Sequence, residues 1–186
     1  YSTLNSKELF TWQYVNIVTG LIKPEVVFKV KQGYKRAVKY VTNNVVEFVD
    51  YLEEESFLKE ALVIITADHG QALGEHNNIL HGIHLSDELL NVPLIIKYPR
   101  DSNLRYIESS DGYISLTNLK GLILDVVRSG KSSRLFGDIA LSESYGIPQD
   151  LKLFARTHNI PESIIRLLAR YSRILELEKH RIAVYC

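Results

Sequence analysis

Four of the six histidines lie between positions 69 and 84, and the first of them directly follows an aspartate. Asp68 offers a hard oxygen ligand and His69 a borderline nitrogen ligand to a divalent cation. Gly70 allows the backbone to turn away sharply afterwards. The pair follows an apolar segment that reads as a strand, and strand ends are where the sites of α/β proteins lie. Asp68 and His69 could therefore form half of a metal site, although an aspartate and a histidine also commonly end strands and start turns without binding a metal.

Three more histidines follow: His76 after a glutamate, His81 before a glycine, and His84. A histidine can ligate a metal, protonate a leaving oxygen, or bind the outer oxygens of a sulfate or phosphate as a cation. Spacing alone does not choose among these roles. We expect His76 and His84 to lie at the surface or behind the residues that contact a ligand, and His81 stays open at this point.

The surrounding elements predict an α/β protein. From Gly33 onward, apolar residues recur at spacings of three and four, which predicts a long amphipathic helix that covers another part of the molecule. The stripe consists of Tyr34, Ala37, Val38, Val41, Val45, Phe48, Val49 and Leu52. Residues 61–65 form a continuous apolar run, which is typical of a strand buried on both faces of a parallel sheet. Residues 94–96 predict a second core strand, which ends before Pro99.

The remaining segments continue this pattern. Helical spacing returns in residues 115–127, residues 138–141 predict a short strand, and Pro161 stands at the start of another amphipathic helix. The chain has no repeat, no low-complexity tract and no Gly/Ser linker, so we expect one compact unit.

Composition narrows the function classes. The 22 basic residues balance the 22 acidic ones, so no long-range field favours nucleic acid or an anionic membrane. There is no uninterrupted apolar stretch of about 18 residues, so we expect no membrane segment. The single cysteine, Cys186, cannot form an intrachain disulfide, and nothing indicates a cellular compartment. A small-molecule or ester substrate is therefore expected.

The succession of motifs resembles the sulfatase family of the alkaline phosphatase superfamily. In that family a T-[SA]-D-H-G strand end is followed by L-G-E-H, then by a lysine or histidine beside glycine, then by an acidic helix leading into V-P-L-I-I. The matching segments here are 66–70, 73–76, 81–82, 87–90 and 92–96. The resemblance runs almost without a gap from about Gly33 to Pro99.

This resemblance implies roles for three residues. Asp68 and His69 would ligate the catalytic divalent cation, which could be calcium, manganese or zinc. His81 stands where many sulfatases have a lysine, and it would contact sulfuryl or phosphoryl oxygens or assist the leaving group. The implied fold is an alkaline-phosphatase-like α/β fold with a mixed, largely parallel sheet flanked by helices. The implied substrate is a small-molecule sulfate or phosphate ester.

The family's nucleophile lies in C/S-x-P-x-R, or is a threonine, serine or cysteine in phosphoesterase relatives, and the first motif is absent here. An early Asp-Asp pair of metal ligands is also missing. We therefore expect residues 1–186 to be the C-terminal part of a sulfatase-like catalytic domain that requires its N-terminal half as partner. Alone it should be inactive and bind metal weakly.

Three functions remain open on these grounds: a sulfate ester hydrolase, a phosphoesterase or phosphotransferase on the same fold, and a non-catalytic protein that keeps the fold. Ser86 and Asn91 replace an aromatic residue and an arginine that are common in the family, so we expect a different substrate pocket.

Overall fold

The structure is a computed structural model that describes residues 5–81, 84–100, 113–129, 135–137, 140–144, 159, 161, 163 and 181–185. The chain forms two compact units. The first comprises Tyr1–Asn43, His69–Asn91 and Glu143–Arg181, and the second Asn44–Asp68, Val92–Ser142 and Ile182–Cys186. One compact unit was expected, and composition does not reveal this division, because the boundaries include a position within α2 and one directly after Asp68 instead of a linker.

The described helices and strands are interspersed along the chain, without strict alternation. In order they are α1 (Ser6–Thr19), α2 (Pro24–Glu54), β1 (Val63–Thr66), β2 (Ala72–Leu73), β3 (Ile79–Leu80), α3 (Asp87–Leu90), β4 (Leu94–Lys97), β5 (Tyr113–Ile114), α4 (Asn118–Ser129), β6 (Phe136–Gly137), β7 (Ala140–Ser144) and β8 (Arg181–Tyr185). Single 3₁₀ turns lie at Phe57–Lys59 and Glu75–Asn77. In the described parts of the chain, no helix is long and apolar enough to cross a membrane.

Helix α1 begins with a capping box. The Asn5 side chain accepts a hydrogen bond from the Glu8 amide, and the Glu8 carboxylate accepts one from the Asn5 amide, both at 2.9 Å. The helix ends at Gly20, which has the left-handed φ of 68°. These capping interactions determine where α1 begins and ends, and therefore which of its residues face the core.

The core of the first unit lies between the first two helices and the β2–β3 hairpin. Val26 and Val30 of α2 pack with Ile79 of β3. Leu9, Trp12, Ile22, Leu73 and Leu80 pack around them. Burying three such side chains contributes several kcal/mol, at roughly 1.5–3 kcal/mol each. The core therefore joins the hairpin firmly to the two helices.

The predicted amphipathic helix is confirmed as α2, although it starts at Pro24 instead of Gly33. Proline is favoured at a first helical position, where its missing N–H costs nothing. The buried residues of α2 are Val26, Val30 and Gly33. Tyr34, Val38, Val41 and Phe48 are 40%, 44%, 57% and 59% exposed, so the expectation that this stripe covers another part of the molecule is wrong for much of its length.

In the second unit, β1 pairs with β4 antiparallel, with Val63 opposite Lys97 and Thr66 opposite Leu94. The Lys97 ammonium donates to the Ala61 carbonyl at 3.1 Å. Ile95 of β4 is 59% exposed, and β1 is half-buried with Thr66 exposed. The interpretation of β1 as a strand buried on both faces and paired in parallel is therefore wrong for its described partner. An apolar β-branched run favours a strand, but it does not specify the direction of the neighbouring strand.

The other described strands also form two-stranded sheets. β2 pairs with β3 and β5 with β6, both antiparallel, and β7 pairs with β8. The predicted largely parallel sheet is thus not formed by the strands that the structure describes. The predicted helix at 115–127 is confirmed as α4, where Leu122 is fully buried. The helix predicted after Pro161 lies outside the described residues apart from Ser163.

Candidate active site around His69 and His81

The loop that carries His69 is held against the backbone of α3. The Gly70 amide donates to the Leu89 carbonyl at 2.7 Å, and the Gln71 amide donates to the Glu88 carbonyl at 2.9 Å. A Cβ atom added to Gly70 would lie 2.0 Å from the Glu88 carbonyl oxygen. Only glycine permits this approach without a backbone shift. The position of His69 therefore depends on Gly70 having no Cβ atom.

His81 is positioned by the β2–β3 hairpin. In this hairpin Ala72 pairs with Leu80, so the preceding Gln71 and the following His81 are brought together. Gly74 in the turn has a φ of 116°, and its amide donates to the Asn78 carbonyl at 2.8 Å. Leu80 has a φ of 65°, which non-glycine residues adopt rarely and at a cost of about 1–3 kcal/mol. The backbone directly before His81 is therefore strained.

The imidazole rings of His69 and His81 stack with their centroids 4.0 Å apart and an interplanar angle of 33°. The structure thus brings together the residue predicted to ligate a metal and the residue predicted to contact the ester. Both side chains belong to residues that are exposed. The pair is accessible to a small ligand.

Each ring has an oxygen acceptor at Nδ1. His69 Nδ1 lies 2.8 Å from the carbonyl oxygen of Gly70, and His81 Nδ1 lies 2.9 Å from Gln71 Oε1. Carbonyl and amide oxygens only accept hydrogen bonds, so these two contacts favour the tautomer that carries its proton on Nδ1. In the neutral form Nε2 then keeps its lone pair, and this is the nitrogen that can ligate a metal.

Two buried amides of α1 hold the hairpin. Gln13, 8% exposed, donates through Nε2 to the His81 carbonyl at 3.0 Å. Asn16, 3% exposed, donates through Nδ2 to the carbonyls of Asn77 and Leu21. Sequence reasoning missed α1 and both amides. The capping pattern at Asn5 to Glu8 could have revealed the helix, since it is a recognised signature of a helix start.

Glu75 secures the turn of the hairpin. Its Oε2 accepts a hydrogen bond from the Leu73 amide at 2.6 Å, and its Oε1 lies 4.0 Å from the Lys31 ammonium. Partial burial acts to raise the pKa of Glu75, but the backbone amide of Leu73, its own amide, Lys31 and His76 together lower it below 4.5. A lowered pKa in the folded state means that the ionised carboxylate stabilises the fold above about pH 4.5, and this contribution is lost on acidification.

The other histidines divide into two cases. His76 has 72% of its side chain exposed, and its Nε2 lies 3.8 Å from Glu88 Oε1, which confirms the predicted surface position. His84 is half-buried and its Nε2 atom is buried, so it does not lie fully at the surface. It stands three residues before α3 and ten before β4, and the other half of the expectation, a position behind the residues that contact a ligand, stays a prediction.

The donor set for a metal is partial. The Nδ1 atom of His69 bonds to a backbone carbonyl, an arrangement that is usual for a histidine that ligates a metal through Nε2. Asp68 follows β1 and is exposed, and it belongs to the second unit. Within the described ranges, no group of three or more histidine, cysteine, aspartate or glutamate residues is placed to hold a metal ion.

Comparison with known proteins agrees with the resemblance in the motifs. No solved structure matches the chain. A family model described as Sulfatase matches residues 5–129, a range that begins at the N-cap of α1, contains both histidines of the site and ends at the last residue of α4. Because this range covers more than half of the sequence, the chain belongs to the sulfatase family, whose members have an alkaline-phosphatase-like α/β fold.

Proposed function

We propose that this chain is part of a metal-dependent sulfuric ester hydrolase. The observation that carries the proposal is the close pair of His69 and His81, whose ring centroids lie 4.0 Å apart and whose Nδ1 atoms each face an oxygen acceptor. Two imidazoles side by side suit a site that binds a cation and an anionic ester. The mixed, largely parallel sheet of the family fold, flanked by helices, is part of the same proposal.

His69 and Asp68 are the residues proposed to hold the cation. His69 fits through its bond to the Gly70 carbonyl, whereas Asp68 joins the proposal through the sequence motif alone. A bound divalent cation would neutralise charge on the sulfuryl oxygens. Calcium, manganese and zinc are the candidates, and the nitrogen ligand keeps the latter two open beside the oxygen-preferring calcium.

His81 is proposed to act on the ester itself. As an imidazolium it would keep Nδ1–H on Gln71 and donate Nε2–H to a sulfuryl oxygen or to the alkoxide that leaves. A nucleophile forms a bond to sulfur as the sulfur–oxygen ester bond breaks, and the leaving oxygen takes a proton from His81. Water then releases the sulfuryl group from the nucleophile, so that overall the sulfate ester and water give alcohol and hydrogen sulfate. The C/S-x-P-x-R motif is absent from the sequence, so we place the nucleophile in an N-terminal half of the same catalytic domain.

The test is an assay of the full-length parent protein with aryl sulfate and aryl phosphate, with and without a chelator. We expect sulfate turnover that a chelator abolishes. His69→Ala and His81→Ala should each lower kcat/KM by about 100-fold or more, because general acid catalysis alone contributes roughly 10²–10⁴-fold. His81→Lys should retain more activity than His81→Ala, since lysine can supply the same positive charge to an anionic ester.

The matched control is His76→Ala, which removes an exposed imidazole seven residues from His69 and should leave kcat/KM within about two-fold, as expected for surface substitutions. A preference for phosphate would replace the sulfatase proposal with a phosphoesterase. Equal activity of the His69 and His81 variants and the parent would overturn the site. Absence of turnover with both esters would favour a non-catalytic protein.

A further inference from the structure

Gln71 is placed to control the state of His81. Its Oε1 lies 2.9 Å from His81 Nδ1, and the pairing of Ala72 with Leu80 brings the two residues to the same end of the hairpin. The Gln71 amide donates to the Glu88 carbonyl at 2.9 Å, so the backbone of Gln71 is itself anchored. The amide side chain therefore extends from a fixed point.

The tautomer matters because a neutral imidazole has one donor nitrogen and one acceptor nitrogen. An amide oxygen at Nδ1 favours the form with the proton on Nδ1, and this leaves Nε2 with the lone pair. The same contact limits rotation of the ring, because a turned imidazole would move Nδ1 away from Gln71 Oε1.

We propose that Gln71 is a positioning residue that fixes the tautomer and ring orientation of His81. Gln13 fixes the backbone of the same residue, because its buried side chain donates to the His81 carbonyl at 3.0 Å. His81 is thereby held at its backbone from α1 and at its side chain from the start of β2. The catalytic meaning of this arrangement rests on the proposed function, whereas the tautomer is a property of the chain itself.

The neutral charge of glutamine is part of the proposal. A glutamate could accept the same hydrogen bond from Nδ1, but its negative charge would repel an anionic ester. We therefore expect the two variants Gln71→Glu and Gln71→Leu to differ in how well they bind an anionic ester. The first variant keeps the acceptor and adds a charge, and the second removes the acceptor at similar volume.

The decisive measurement is the ¹⁵N NMR pattern of the imidazole nitrogens in the full chain, recorded at about pH 9, where histidines with ordinary pKa values near 6.5 are neutral. We expect His81 to be protonated at Nδ1 in the unsubstituted chain and in the Gln71→Glu variant. In Gln71→Leu the Nε2–H form should appear. His69 is the internal control, because its acceptor is the Gly70 carbonyl, which neither substitution removes.

Gln32→Leu, a change at a half-buried glutamine of α2, serves as the matched control and should leave the His81 pattern unchanged. An Nε2–H form of His81 in the unsubstituted chain would overturn the proposal. An unchanged ¹⁵N pattern of His81 in Gln71→Leu would overturn it as well. Circular dichroism of each variant separates a lost fold from a lost hydrogen bond. Should Gln71→Leu not fold, the pattern in Gln71→Glu still tests whether an oxygen acceptor keeps the proton on Nδ1.

Ester hydrolysis kinetics of the Gln71 variants, measured in the full-length protein, separate this inference from the proposed function. Gln71→Leu should lower kcat by roughly 10–100-fold, the usual cost of removing a group that orients a site histidine, with a smaller effect on KM. Gln71→Glu should mainly raise KM. If the tautomer responds as expected but no ester is turned over, Gln71 positions His81 and the proposed function fails. If the ester is turned over but the tautomer does not respond, the function stands and the role of Gln71 fails.

Discussion

The replacement of Gly70 by alanine tests how the His69 loop is held. The added Cβ would lie 2.0 Å from the Glu88 carbonyl oxygen and 3.0 Å from the Leu89 Cα. A carbon and an oxygen in contact are normally about 3.3–3.6 Å apart, so the loop or α3 must move by more than about 1 Å. The obstructing atoms are backbone, and a rotamer change cannot relieve the clash.

The expected cost follows from what such a shift disrupts. Two backbone hydrogen bonds join the loop to α3, those from the Gly70 and Gln71 amides. Each contributes about 0.5–1.5 kcal/mol net, and overpacking costs typically about 1–3 kcal/mol. We therefore expect Gly70→Ala to lower the free energy of unfolding by about 3 kcal/mol. The Gly70 carbonyl would move as well, so the His69 ring should lose its fixed orientation.

The assay combines urea unfolding, followed by circular dichroism, with hydrogen exchange of the amides of residues 70 and 71. The control is Gly121→Ala, at an exposed glycine inside α4, where alanine should stabilise the helix by about 0.5–1 kcal/mol. Exchange at both amides should accelerate in Gly70→Ala alone. A variant within about 0.5 kcal/mol of the parent, with unchanged exchange, would refute the reasoning that close approach requires glycine here.

Two further changes probe the hairpin. Asn16→Leu removes the donor to the carbonyls of Asn77 and Leu21, so we expect a loss of about 1–3 kcal/mol in urea unfolding, whereas the exposed Asn43→Leu should change it by less than about 0.5 kcal/mol. Glu75→Gln should destabilise the chain above about pH 4.5, the ordinary pKa of the group, and the difference from the parent should shrink as the pH falls below it. Urea unfolding across this pH range checks the sign, with Glu47→Gln as the control for loss of one exposed charge, and a difference that grows on acidification would contradict the lowered pKa.

Local patterns predicted the helices of this chain better than its sheets. The spacing of apolar residues identified α2 and α4, because helix periodicity depends on one face of one segment. The partner of β1 could not be predicted in this way. An apolar run records a tendency to be buried, whereas strand direction is set by connections elsewhere in the chain, and the described partner proved antiparallel.

The sequence pointed to the residues proposed to contact ligands, but it did not reveal the residues that hold them in place. Asp68 and His69 were chosen because their side chains can ligate a metal, and His81 received its role through the resemblance to the sulfatase family. Gln13 and Gln71 act through single hydrogen bonds to His81 across 68 and 10 positions of sequence. No periodicity connects residues at those separations, so a fold was needed to bring them together. The motif roles of Asp68 and His69 as metal ligands stay predictions.

The glycine of the Asp-His-Gly motif illustrates how a structure changes the physical meaning of a pattern. From the sequence, Gly70 was expected to permit a sharp turn, but the described glycines with positive φ are Gly20 and Gly74. Gly70 is needed for a different reason, since any side chain would collide with the backbone of α3. Its amide bonds to α3 while its carbonyl accepts the proton of His69 Nδ1. One residue without a side chain therefore couples the docking of a helix to the orientation of a candidate metal ligand, and for this reason a small steric change there should alter both stability and ligand binding.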